Sequence, residues 1–249
     1  MKFKTPSRAA TTSTLGMALL VATTFFAQQL SAQKSPGETT AKRVCEMIKR
    51  FHISQEGIDD EIAVKLFHKF VKDLDPQKLY FTQADIDELG KQKTQLDDLI
   101  KAGNIDFAYT TYDLYLKRLD QRMAMAEKFI DVDHDFTIDE SIPTSGKDLS
   151  WAKTDKEISE RWRKRIKFDL LTLKLDKTEL AESRKRLHKR YHNIKNVLHQ
   201  TEDFEKLETY LTALAMSFDP HSTYMSPETL EDFRIQMRLE LDGIGAALR

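Results

Sequence analysis

The chain has 249 residues, with 39 Lys and Arg against 40 Asp and Glu, and a formal net charge of −1. That near balance calls for no acidic partner. The single cysteine, Cys45, excludes an intramolecular disulfide, so stability has to come from packing.

The first segment reads as a leader. Lys2, Lys4 and Arg8 form a basic start, residues 15–26 an apolar core, and Leu30-Ser31-Ala32 ends on a small residue suited to cleavage before Gln33. This is the pattern of a secretory signal peptide over residues 1–32, and it implies a periplasmic protein. The alternative is an uncleaved anchor, because no charge falls between Ala9 and Gln33. Thr, Ser and Gln at both ends of the apolar core favour cleavage after Ala32, and no membrane span is expected afterwards. Cleavage removes Lys2, Lys4 and Arg8 and no acid, which shifts the net charge from −1 to −4.

Helical stripes follow. Ile62, Leu66, Phe67, Phe70 and Leu74 make one amphipathic helix, ended by Asp75-Pro76. Thr82 with Asp85 starts another, carrying Leu96, Leu99 and Ile100 and terminated by Gly103. Asp106 caps a helix over residues 107–130, with Leu119 and Met123 on its inner face. Residues 131–150 form a surface loop with a short extended piece at residues 135–138.

Between Gly146 and Gly243 there is no glycine, and Pro220 and Pro227 are the only prolines, so long helices are expected. Ile158, Trp162, Ile166 and Leu170 recur every four residues behind Thr154 and Glu157, a capping-box pair. Leu187, Tyr191, Ile194 and Leu198 form a second stripe. Phe204, Leu207, Leu211, Leu214 and Phe218 form a third behind Thr201, read as an N-cap.

Several constellations resemble chemistry. Ser150 and Lys153 match a serine-x-x-lysine pattern, but lack the companion motifs of enzymes that use it. Asp131, Asp133 and Asp135 resemble the start of a calcium loop, yet Phe136 stands where the turn needs glycine and Ile142 where the bidentate glutamate belongs. His188 and His192 lie one turn apart with His199 two turns on, but Lys189 replaces the glutamate of the zinc-protease pattern and the surrounding bases repel a cation. From Arg161 to Lys195 there are 13 Lys and Arg against four acids, without the aromatic platform that single-stranded nucleic-acid binding uses. These patterns are read as solvated helix faces and an acidic loop, with no catalytic residue, no metal, no cofactor and no nucleic acid. A partner-binding surface on the basic run is the minority view.

The last thirty residues are the most distinctive. Asp219-Pro220 ends a helix, Ser226 is a good N-cap and Pro227 suits the first helical position. Asp219, His221 and Ser222 are expected to hydrogen-bond the intervening turn. A strand is expected over residues 238–248, with Gly243 and Gly245 where the backbone turns or admits another chain.

The string DPHSTYMSP, followed by Phe233 and Asp242-Gly243-Ile244-Gly245-Ala246, resembles the junction between the helical region and the PDZ domain of tail-specific proteases, the C-terminal processing peptidases. The family more often has Leu where Met225 stands. FVKDLDPQKLYF over residues 70–81, the helix start at residues 82–85, and Lys167-Phe168-Asp169-Leu170-Leu171 are also similar to it. The resemblance implies a mainly α chain in which the 1–32 signal peptide is followed by a helical N-terminal domain at 33–226 and the start of a PDZ domain at 227–249. It further implies a serine protease that acts on proteins with apolar C-terminal tails, capturing the terminal carboxylate near Gly243, Ile244 and Gly245. The family's Ser-Lys dyad lies beyond the PDZ domain, so the 249-residue chain is expected to be inactive alone. The alternative is a non-enzymatic helical adaptor of the cell envelope.

Overall fold

The structure is a computed structural model that describes residues 35–147 and 149–238. The leader at 1–32 and residues 239–248 of the expected strand lie outside the described residues, and so do Gly243, Ile244 and Gly245. Among the described residues there are nine α-helices, and the fold is mainly α. They are α1 Pro36–Phe51, α2 Asp60–Leu74, α3 Gln83–Leu89, α4 Leu96–Lys101, α5 Asp106–Asp131, α6 Asp155–Leu175, α7 Leu180–His199, α8 Asp203–Phe218 and α9 Pro227–Arg238. Arg238, expected to open a strand, is the last residue of α9.

Helix α5 is the spine. Its 26 residues span about 39 Å, so its two halves serve different cores. Phe107, Ala108, Tyr112 and Tyr115 enter a first core with residues of α1, α2, α4 and α8. Phe70 meets Tyr210 edge-on at 5.1 Å there, and Phe67 tilts against Phe107. Leu119, Met123, Ala126 and Ile130, further along α5, enter a second core with α6 and α7. All four residues of the Ile158 stripe are buried in it.

Local boundaries differ from the expectations in instructive ways. The Thr82–Asp85 capping box forms, but its helix stops at Leu89, passes through a 3₁₀ turn at Gly90–Gln92 and restarts as α4. The polar run from Lys91 to Gln95 offers no apolar residue to hold a continuous helix on the core. Gly103 does end α4, at φ 83°, where the Asn104 N–H donates back to the Leu99 carbonyl at 2.8 Å. Asp106 is the first helical residue rather than a cap, and its N–H is taken by Asn104 Oδ1. Thr154 caps α6, but Glu157 reaches past it to the Lys153 N–H. At α8 the N-cap is Glu202, not Thr201. Residues 135–138 are a turn instead of an extended piece, because Asp135 Oδ1 accepts from the Thr137 N–H and hydroxyl.

Candidate functional site

The segment that follows α2 is the best-tied part of the molecule. Asp75 is 1% exposed, and its carboxylate accepts from the N–H groups of Leu79, Tyr80 and Phe81 at 2.8, 2.8 and 3.0 Å. Burial pushes its pKa up, against the pull of those donors and of the nearby Arg161 charge. The turn so formed offers its carbonyls outward. Arg161 donates to the Lys78 carbonyl, Trp162 Nε1 to Leu79 at 2.7 Å and Arg122 to Tyr80. One step on, Arg118 holds the Asp85 carboxylate through two bonds at 2.6 and 2.9 Å. Burial alone would raise that carboxyl, but the Arg118 and Thr82 bonds outweigh it and hold the pKa low. Helices α5 and α6 are thus fastened to one turn.

A second set of ties holds the 132–154 segment. Glu140 pairs with both Arg163 and Lys167, and Lys167 also donates to the Ile138 carbonyl at 3.1 Å. Its carboxyl is drawn down to about 2 by the Arg163 and Lys167 hydrogen bonds. Buried Gly146 sits so close to the Pro76 carbonyl that a Cβ there would lie 2.0 Å from the oxygen. The Lys78 ammonium donates to the Leu149 carbonyl, and Ala152 bridges to Thr82 through its own carbonyl and the Gln83 N–H. This stretch is an anchored strap rather than a free surface loop.

The suspected motifs take structural places. Ser150 uses its carbonyl to accept from Arg161, Lys153 uses its N–H on Glu157, and among the described residues no hydrogen bond joins their side chains. Asp131 and Asp133 point at α7, where His188 Nε2 and Arg184 meet them at 2.9 and 2.7 Å. His199 pairs with Asp120, which Lys195 shares. His192 is exposed. His188 and His199 therefore serve different partners, and among the described residues the three histidines do not converge on a metal site. Much of the basic run is spent inside the molecule. Arg165 and Arg190 each lie 3.6 Å from buried Asp169, which also accepts from the Tyr191 hydroxyl, and Arg186 pairs with Glu182.

The turn after α8 is also pinned, though not by the expected histidine. Asp219 and Ser222 do bond, but His221 is exposed, and it is His52 at the end of α1 that reaches the turn. His52 Nδ1 accepts the Ser54 N–H, so the ring proton sits on Nε2 and is donated to Ser222 Oγ at 3.1 Å. Ser222 in turn donates to Asp219 Oδ2 at 3.3 Å. A partner 170 residues away leaves no local signal in the sequence. Beyond it, Thr212 donates to the Tyr224 carbonyl, and Ser226 caps α9 through the Thr229 N–H.

A groove of 520 Å³ opens between α6 and the strap, lined by Leu79, Ile142, Pro143, Leu149, Lys156 and Lys164 among others. Neither Ser150 nor Lys153 lines it. No helix among the described residues is long and apolar enough to cross a membrane.

Residues 44–228 match the family model of the tail-specific protease N-terminal domain. Over its full length the chain is 30% identical to a tail-specific protease of Haemophilus influenzae, covering 100% of this chain and 37% of that protein. The matched stretch begins inside α1 and ends in the first turn of α9, so it takes in the second core, all of the first but Ala41, the turn at Asp75 and the pinned junction. The chain belongs to the tail-specific protease family, and its helical body is that family's N-terminal domain.

Proposed function

We propose that this chain is the N-terminal portion of an exported tail-specific serine protease that processes envelope proteins with apolar C-termini. Residues 1–32 are a signal peptide cleaved after Ala32. Residues 33–226 are the helical domain, and residues 227–249 begin a PDZ domain in which Gly243, Ile244 and Gly245 form part of the carboxylate-binding loop. The helical domain acts as a rigid mount, with Ser226 as the fixed point from which the next domain departs. Support comes chiefly from the family match over residues 44–228, ending just where Ser226 caps α9.

Two assays test the reading. Intact mass of the periplasmic protein should correspond to a chain beginning at Gln33, and retention of Met1 would overturn export by cleavage. The 249-residue chain should leave a reporter with an apolar C-terminal tail uncut, because the nucleophile and lysine lie outside these residues. Joining it to the PDZ and catalytic regions of a tail-specific protease should restore cleavage that depends on the free tail. Cleavage by the 249-residue chain that disappears on Ser150→Ala would instead place the chemistry in the serine-x-x-lysine pattern.

A further inference from the structure

The groove between α6 and the strap is built as a binding site. Its 520 Å³ falls within the roughly 300–1,000 Å³ of ligand pockets, and Leu79, Ile142, Pro143 and Leu149 give it an apolar lining. Its walls are fixed at both ends. Glu140 locks the strap to Arg163 and Lys167 on one side, and on the other Gly146 rests on Pro76 while Lys78 holds the Leu149 carbonyl. Between those anchors, residues 141–145 arch over the groove. Little conformational freedom remains to be lost when a ligand enters.

Among the described lining residues Lys156, Arg161, Lys164 and Arg165 outnumber Glu157 and Glu160, so the rim is positive on balance. Glu160 is bonded to Arg163, and Glu157 holds the Lys153 N–H. Arg161 spends its guanidinium on two carbonyls. Among the described residues Lys156 and Lys164 have no ion pair within 4 Å, Lys164 acting on Glu160 only through space, whereas Arg163, Arg165 and Lys167 are paired. They stand eight residues apart on α6, about 12 Å along its axis. An extended chain covers that distance in about four residues.

We propose that this groove binds an extended peptide segment in which apolar residues are flanked by two acidic side chains four positions apart. The apolar residues lie on Ile142, Pro143 and Leu149, and the carboxylates meet Lys156 and Lys164. The segment is held through its side chains rather than through a C-terminal carboxylate. The inference stands apart from the protease reading, since binding by the 249-residue chain requires no catalytic residue.

The probe is a fluorescein-labelled, C-terminally amidated peptide of sequence Gly-Glu-Leu-Pro-Leu-Glu-Gly, followed by fluorescence anisotropy. Saturable binding is expected, weakened about tenfold or more by Lys156→Glu with Lys164→Glu, and equally by replacing both peptide glutamates with lysine. The control pair Lys185→Glu with Lys189→Glu, on exposed α7 positions and with the same change in net charge, should bind as the unaltered chain does. Ile142→Asp, a change in the arch outside the helices, supplies a second disabling variant, and unchanged thermal melts establish that each variant folds. The proposal fails if no saturation is reached by roughly 1 mM peptide. It fails equally if the control pair weakens binding as much, or if only a free C-terminal carboxylate binds. Displacement of the peptide by unlabelled chain would assign the groove to a second copy and overturn it as well.

Discussion

The two cores that share α5 are held by different means. Among the described residues the first contains 23 buried apolar side chains and the second 11, so the second has about half the apolar burial with which to hold two long helices. What compensates is a set of polar ties. Trp162 and Arg161 bond the turn after Asp75, Lys167 and Arg163 clasp Glu140, and Tyr191 and Arg190 meet Asp169. The first core is specified by apolar periodicity, the second by where long polar side chains find carbonyls and carboxylates. Such ties contribute modestly when made and cost more when one partner is stranded.

That contrast can be broken most directly at Trp162. It is 1% exposed, packs edge-on against Tyr80 and Tyr191, and bonds the Leu79 carbonyl. Trp162→Ala should cost about 3–5 kcal/mol. Native-state hydrogen exchange should then show α6 and α7 opening at lower free energy while α2 and α8 keep their protection. Equal loss of protection in all four helices would mean that the two cores form one cooperative unit.

The next effects probe the turn and strap. In Asp75→Asn a single carbonyl oxygen replaces a carboxylate that serves three N–H groups, and leaving a donor unpaired should cost about 1–3 kcal/mol by chemical denaturation. Gly146→Ala should cost about 1–3 kcal/mol, since its Cβ would meet backbone rather than a yielding side chain. Gly57→Ala is the matching control, with nothing within 4 Å of the added carbon. A neutral Gly146→Ala would mean that the strap contributes nothing to the second core.

How far the sequence reveals these features follows from distance along the chain. The stripe Ile158, Trp162, Ile166, Leu170 is legible because each residue predicts the next at helical spacing, and its burial matches. The turn at Asp75-Pro76 and the caps at Thr82 and Ser226 are local and equally legible. Caps go astray by one residue where several candidates adjoin, as at Thr201 and Glu202. The basic run reads as two solvated faces because its partners Asp120, Asp131, Asp133 and Glu140 lie on other segments. His52 is invisible as the partner of Ser222 for the same reason. The groove could have been suspected only from apolar Ile142-Pro143 inside a polar loop.

The smallest effect sharpens the comparison through pH. The Glu140 carboxyl is held at about 2, first by its bond to Arg163 and then by that to Lys167. A carboxyl whose pKa is depressed on folding adds stability that is fully present above its unfolded value of roughly 4.5 and is lost as pH falls through the folded one. Glu140→Gln removes the titrating group but keeps the shape. The stability gap between the two proteins should therefore be constant above pH 4.5 and narrow steadily toward pH 2. Urea midpoints measured across that window check it. A gap that persists unchanged at pH 2 would show that Glu140 holds the strap by its shape and neutral hydrogen bonds. The second core would then rest less on charge than its side chains imply.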